Sequence, residues 1–439
     1  DKRSKLKYIE GGFIMAKYQS PELKSLFKIE RHHYPVPVDV NIPDVCKKTV
    51  LLPACDYDGV QYLYYIDLDK SLVIVWNVDI SLYISHVINQ FSQFDLNTKE
   101  LYGRFALHTS FVYHNRIYAL PAYGNFILCF DIDSNEYEII YDSMEHIYSF
   151  TNGAVNDNIY FTRWTIFDYF KRKSTEEDVQ LDIGYYNIRS GEFCVIKSIL
   201  GPESIHQTVL SPKGDKIIAV EVPRYEKNVE ANKNITVSRA LQESRILSYD
   251  LFKNKLHMIS SDNGPAHITF DINDPDIGHI ACCNFSPLGC FGTARIDKYD
   301  FENGIVKIGT YEEEDFYRIP NHEIFEYDGE NLLATPVYSN QVRLINTSTM
   351  KCRKKIYLSD KHITLEKGKV PFYYPFTDRT PYTVLPVNNT RYIVMCSIRS
   401  IDILDFLEDK IIAKIEYNKQ YNPLSSINPL RASGHSSFA

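Results

Sequence analysis

Residues 322–337, His-Glu-Ile-Phe-Glu-Tyr-Asp-Gly-Glu-Asn-Leu-Leu-Ala-Thr-Pro-Val, run from a histidine through an apolar stretch to Asp328-Gly329 and out through a second apolar stretch. Two short apolar runs around an Asp-Gly pair read as a β-hairpin with a tight turn. The same phrase recurs as HTSFVYHNRIYALP from His108, NGAVNDNIYFT from Asn152, HQTVLSPKGDKIIAVE from His206, HITFDINDPDIGHIACC from His267 and YTVLPVNNTRYIVMCS from Tyr382.

Behind each comes a second strand-turn-strand phrase, such as ILSYDLFKNKLHMI, IDKYDFENGIVKIG or IDILDFLEDKIIAKI. Two hairpins per unit, with units about 45 to 60 residues apart, predict four-stranded blades arranged as a β-propeller. Six units are plain. A seventh is assembled from YLYYIDLDKSLVIVW and the later FSQFDLNTKEL, with TVLLPA at 49–54 expected to close the ring against the last blade. The expected organisation is all-β: an N-terminal extension over 1–48 with a short helix capped by Ser20, a seven-bladed propeller over 49–424, and a loose tail over 425–439.

Composition agrees with this reading. The 439 residues include 33 Tyr and 24 Phe against 19 Gly and 5 Met, a balance that suits strands around a substantial core. A net charge of -8 with both signs interspersed argues against nucleic acid or an anionic membrane as partner. Nine cysteines, without a CxxC pair and partly inside apolar runs, read as buried free thiols of a reducing compartment, so a cytoplasmic protein is expected. There is no run of eighteen apolar residues, signal-peptide pattern, Gly-rich phosphate loop, GxSxG or HExxH.

Aligned on the fourth residue of each first hairpin, the first position reads His108, Asn152, His206, His267, His322 and Tyr382. Four of six are histidine in a chain with only 13. The innermost strand of each blade lines the central channel, so His108, His206, His267 and His322 are expected to converge on the axis and share a divalent transition metal, with Fe or Mn favoured and Zn also suitable. The other reading of the pattern is structural, with the imidazoles hydrogen-bonded across the channel. Gln207 and Glu323 follow two of these histidines and are candidates to orient a neighbouring imidazole; His279 is a weaker candidate.

Two long connections, 164–181 and 223–243, return to the face where the first strands begin, and they are expected to form a lid. Arg163 and Arg224 in and beside them, and Arg245 at the head of the following strand, are candidate clamps for a carboxylate.

The phrases IHQTVLSPKGDKIIAVEVPRYEKN, SRILSYDLFKNKL, PAHITFDINDPDIGHIACC and NHEIFEYDGENLLATPV resemble the central blades of oligogalacturonate lyase, over roughly residues 205–340. The resemblance implies a seven-bladed propeller that performs β-elimination on oligouronides with histidine-bound manganese. It implies that His322 matches a metal-binding histidine, Arg245 the arginine assisting proton abstraction, and His267 a further active-site histidine. The following blade departs from that pattern, because TPYTVLPVNN contains no histidine where the family supplies further ligands.

The expected activity is metal-assisted β-elimination or a related proton transfer on an oxygenated, carboxylate-bearing small molecule or a peptide, with Arg245 as clamp and Tyr382 as possible base. The alternatives are a four-histidine non-haem iron oxygenase and a non-catalytic scaffold that grips a protein or peptide.

Overall fold

The repeat closes into a ring. The computed structural model describes residues 8–9, 12–15, 21–35, 49–55, 60–96, 98, 101–102, 105–167, 179–201, 205–221, 244–261, 264–282, 294–316, 321–337, 341–358, 381, 383–396, 400–416, 431–432 and 437–438. Seven antiparallel blades form a β-propeller.

The innermost strands are, in blade order, Thr49–Cys55, Leu107–Tyr113, His146–Phe150, Ile205–Leu210, Pro265–Phe270, Glu323–Tyr327 and Thr383–Pro386. Three further strands pair outward from each of them. The middle strands are covered on both faces by neighbouring blades, which is why all seven residues of Gln61–Asp67 and all six of Ser400–Asp405 are buried. At the junction of the first and seventh blades, Val50, Leu52 and Tyr64 meet Leu385, Val394 and Ile401 in one apolar cluster. Each such side chain contributes about 1.5–3 kcal/mol when fully buried.

Turn chemistry fixes the hairpins locally. His114 and Asn115 have φ of 50° and 60°, Asn156 and Asp157 52° and 63°, and Asp328 and Gly329 52° and 73°. Two successive positive φ values are what a two-residue turn needs to match the right-handed twist of its strands, and Asn, Asp and Gly tolerate them best.

Three expectations about the chain's organisation change, and one holds. TVLLPA belongs to the first blade's own innermost strand, Thr49–Cys55, instead of an addition to the last blade. That blade takes its outermost strand from Lys28–Pro35, paired with Leu72–Asp79, so the expected boundary at 48 falls inside it. The described residues of FSQFDLNTKEL supply no strand there; a helix, Ser81–Gln90, precedes it and buries Tyr83, Ile84 and Val87. The expected short helix is present as Pro21–Lys24.

The extension and the tail are both stitched to the ring. Gly12–Met15 adds to the outer edge of the third blade through Phe13–Val195 and Met15–Phe193 pairs, and Tyr8–Ile9 adds to Gly12–Met15. Phe27 is buried with its ring 5.0 Å from both Tyr83 and Phe126, and Arg31 donates to the Ile132 carbonyl at 2.7 Å. In the tail, Arg431–Ala432 and Ser437–Phe438 pair with Thr49–Cys55. Among the described residues no helix is long and apolar enough to cross a membrane, and Cys129, Cys282 and Cys396 are buried free thiols.

Candidate functional site

Three of the four histidines lie side by side, from the second, fourth and fifth blades. The His206 and His267 rings are 4.9 Å apart, centroid to centroid, with 3.5 Å between their Nε2 atoms. His108 stands on the other side of His206 at 6.3 Å between ring centroids, its plane turned by 80°. Their backbone positions explain the approach. The second and fourth blades carry β-bulges between Leu107 and Thr109 and between Ile205 and Gln207, with His108 and His206 at the shift in register; the fifth is bulged between Pro265 and His267. A bulge kinks the strand and re-aims the side chain at that point.

His108, His206, Asn152, Gln207, Thr208 and Ser149 line part of a hollow of ≈ 20 Å³, enough for one water or a bare cation. Burial pushes the His108 imidazole down to about 4, so at neutral pH it is uncharged with a lone pair to offer. A network of hydroxyls supports the floor: Thr162 and Thr208 are 2.8 Å apart, and Thr208 donates to Ser149 at 3.0 Å.

His322 does not join this group. The innermost strand of the sixth blade has no bulge, its first pair being Glu323–Ala334, and the ring of His322 turns into the fifth blade, where Nε2 donates to the His279 carbonyl at 2.9 Å. His322 is 1% exposed, and burial holds its imidazole down at about 4. His279 is wholly buried in the fifth blade, paired with Thr269, with Nε2 3.6 Å from Asp271. Both residues join adjacent blades.

The fit of a metal to these residues is partial. Two nitrogens bound to one tetrahedral ion at about 2.0–2.1 Å lie about 3.4 Å apart, close to the His206–His267 separation. Among the described residues, however, no group of three or more His, Cys, Asp or Glu is placed to hold a metal ion. The four-imidazole ring is thus reduced to one close pair with His108 beside it.

The remaining candidates divide sharply. Gln207 is buried and accepts the Ile268 amide at 2.8 Å, which ties the fourth blade to the fifth. Gln61, not singled out from sequence, does the same between the first and second blades, accepting the Leu107 amide at 2.6 Å and donating to the Phe105 carbonyl at 3.3 Å. Asn152 is exposed and lines the hollow, but it does not open its strand: the third blade's innermost strand begins earlier, at His146.

Glu323 accepts from Thr269 at 3.5 Å, and desolvation raises its carboxyl to about 7. Arg163 is 4% exposed and spent on Asp142 at 2.8 Å and Asp182 at 3.1 Å, so it clamps no ligand. Trp164, expected in the lid, is 1% exposed in the core. Arg245 is half-buried at the head of the fourth blade's third strand, opposite Ser260. Arg224, Tyr382, and the lid segments over 168–178 and 223–243 lie outside the described residues.

The chain matches no protein-family model, and the comparison with curated proteins gives no match. The likeness of residues 205–340 to oligogalacturonate lyase therefore rests on the quoted phrases alone, and the part of it that the structure bears out is the seven-bladed propeller.

Proposed function

We propose that the histidine face of the propeller is a metal-dependent catalytic site acting on an oxygenated, carboxylate-bearing substrate by β-elimination or a related proton transfer. The observation that carries this reading is the 3.5 Å separation of the His206 and His267 Nε2 atoms beside a third, neutral imidazole. His206 and His267 would hold the ion, with His108 turning in as a further donor. A bound divalent ion would supply Lewis-acid polarisation of a substrate oxygen. Around it Asn152 offers an amide to the substrate, and Arg245 is the proposed carboxylate clamp at the rim.

The test is elemental analysis of the full chain, purified without an affinity-metal column and then offered Mn²⁺, Fe²⁺ and Zn²⁺ separately. About one equivalent of manganese, lost in His206→Ala and in His267→Ala, supports the lyase reading and directs the search to uronide-like substrates. Iron retention with the same loss moves the chemistry to oxygen-dependent cleavage. No retained ion favours the second reading, a non-catalytic scaffold, for which the absence of a three-donor group among the described residues is the specific support.

A further inference from the structure

Every blade of a propeller leaves the channel-side edge of its innermost strand without a neighbour in its own sheet, and a row of free N–H and C=O groups is a template for another strand. Among the described residues, one such edge is filled by strand pairs, while His146–Phe150 takes only a single bridge, Tyr148 to Gly124. Along Thr49–Cys55, Arg431 pairs with Cys55, Ala432 with Ala54, Ser437 with Leu51 and Phe438 with Val50, all antiparallel and on the side away from Gln61–Asp67.

The choice of edge has a physical basis. Thr49–Cys55 offers seven residues in unbroken register with its outer neighbour. The innermost strands of the second, fourth and fifth blades are interrupted by bulges, and those of the third, sixth and seventh have five, five and four residues. Side chains also blunt two competing strands, since Gln61 covers the Leu107 amide and Gln207 the Ile268 amide. Among the described residues, the first blade therefore has the longest regular inner edge.

We propose that this edge is a docking site for an extended peptide, and that Arg431–Ala432 and Ser437–Phe438 are its displaceable occupant in cis. Recognition by strand addition rests on main-chain hydrogen bonds and tolerates varied sequence. Innermost strands all start on one face of the ring, so the Val50 and Leu51 pairs set the occupant's far end on the face where Leu107 and His108 open the second blade. A peptide replacing residues 431–438 is led toward the imidazoles. The proposal stands without a metal, because its ligand is backbone and its readout is binding.

The experiment uses the full chain in two variants and a fluorescein-labelled peptide of residues 428–439, NPLRASGHSSFA. Ala432→Pro/Ser437→Pro removes two N–H groups from the occupant and leaves the docking strand intact. By fluorescence anisotropy this variant is expected to bind the peptide at least tenfold more tightly than the wild type. Equal binding by both, or none by a variant that circular dichroism shows to be folded, overturns the proposal.

The second variant, Arg431→Cys, places a thiol opposite the native Cys55 and is read without any need for the first to fold. Oxidation is expected to give a disulfide between position 431 and Cys55, identified by mass spectrometry, and excess peptide is expected to slow its formation at least fivefold. No disulfide, or formation at a rate indifferent to peptide, overturns the proposal.

Discussion

His206 and His267 face each other from adjacent blades with Nε2 atoms 3.5 Å apart, whereas His322, at the same position of its repeat, turns its ring away to the His279 carbonyl. The two kinds of histidine should respond differently to the same substitution. His206→Ala and His267→Ala are expected to abolish metal retention and leave the urea midpoint nearly unchanged. His322→Ala removes the donor to a buried carbonyl and leaves a hole, and it should cost about 1–3 kcal/mol while metal content persists. Elemental analysis and urea denaturation on the same three proteins check both halves.

Acid should weaken the fold over a definite range. His146 and His322 are held neutral, chiefly by burial, with folded values of about 4. Unfolded imidazoles protonate near 6.5, so between these values the unfolded chain binds protons that the folded chain refuses. Stability from these groups is complete above about 6.5 and is lost as pH falls through that window to about 4. Thermal melts at half-unit intervals should show the decline, with a shallower slope in His146→Gln.

Glu323 carries the opposite sign. Its folded carboxyl is raised to about 7 by desolvation, so its contribution is complete below the ordinary carboxylate value and is lost as pH rises through the folded one. Glu323→Gln keeps the shape without the charge. The variant's urea midpoint should exceed the wild type's at pH 8, and the gap should close at pH 4.5; a constant gap would contradict the assignment.

Arg163 is an architectural cation, held between Asp142 and Asp182 and set against the rings of Tyr148 and Phe161. Arg163→Met leaves two buried carboxylates without their counter-ion and should cost about 3–5 kcal/mol. Chemical denaturation measures the loss. Metal retention by the folded fraction should be unchanged, because this guanidinium faces the blade interior.

The repeat was legible because its signals are local: the Asn-Asp and Asp-Gly turns at 156–157 and 328–329 lie between apolar runs, and each specifies its own hairpin. Lys28–Pro35 was not, since KIERHHYP is mostly polar and becomes a strand only by pairing with Leu72–Asp79. The site was half legible. Histidine at a repeated position marks the start of an innermost strand, but the direction of its ring depends on whether the backbone is bulged there. His108 and His206 sit within bulges, the innermost strand of the sixth blade has none, and no residue type in these stretches announces the difference. Arg163 misled for a related reason: its partners Asp142 and Asp182 are distant in sequence, so a buried ion pair looked like a lid cation.

The first blade, built from Lys28–Pro35 and the three strands between Thr49 and Asp79, shares no strand with the last; among the described residues, each blade's four-stranded core comes from one contiguous stretch of chain. A ribosome therefore delivers the blades complete and in ring order, each able to zip from its own turns before the next emerges. Two pairings span far more sequence: Gly12–Met15 must wait for the third blade, and residues 431–438 must find a strand made nearly four hundred residues earlier. Until the second is made, the nascent ring carries a bare strand edge at its centre.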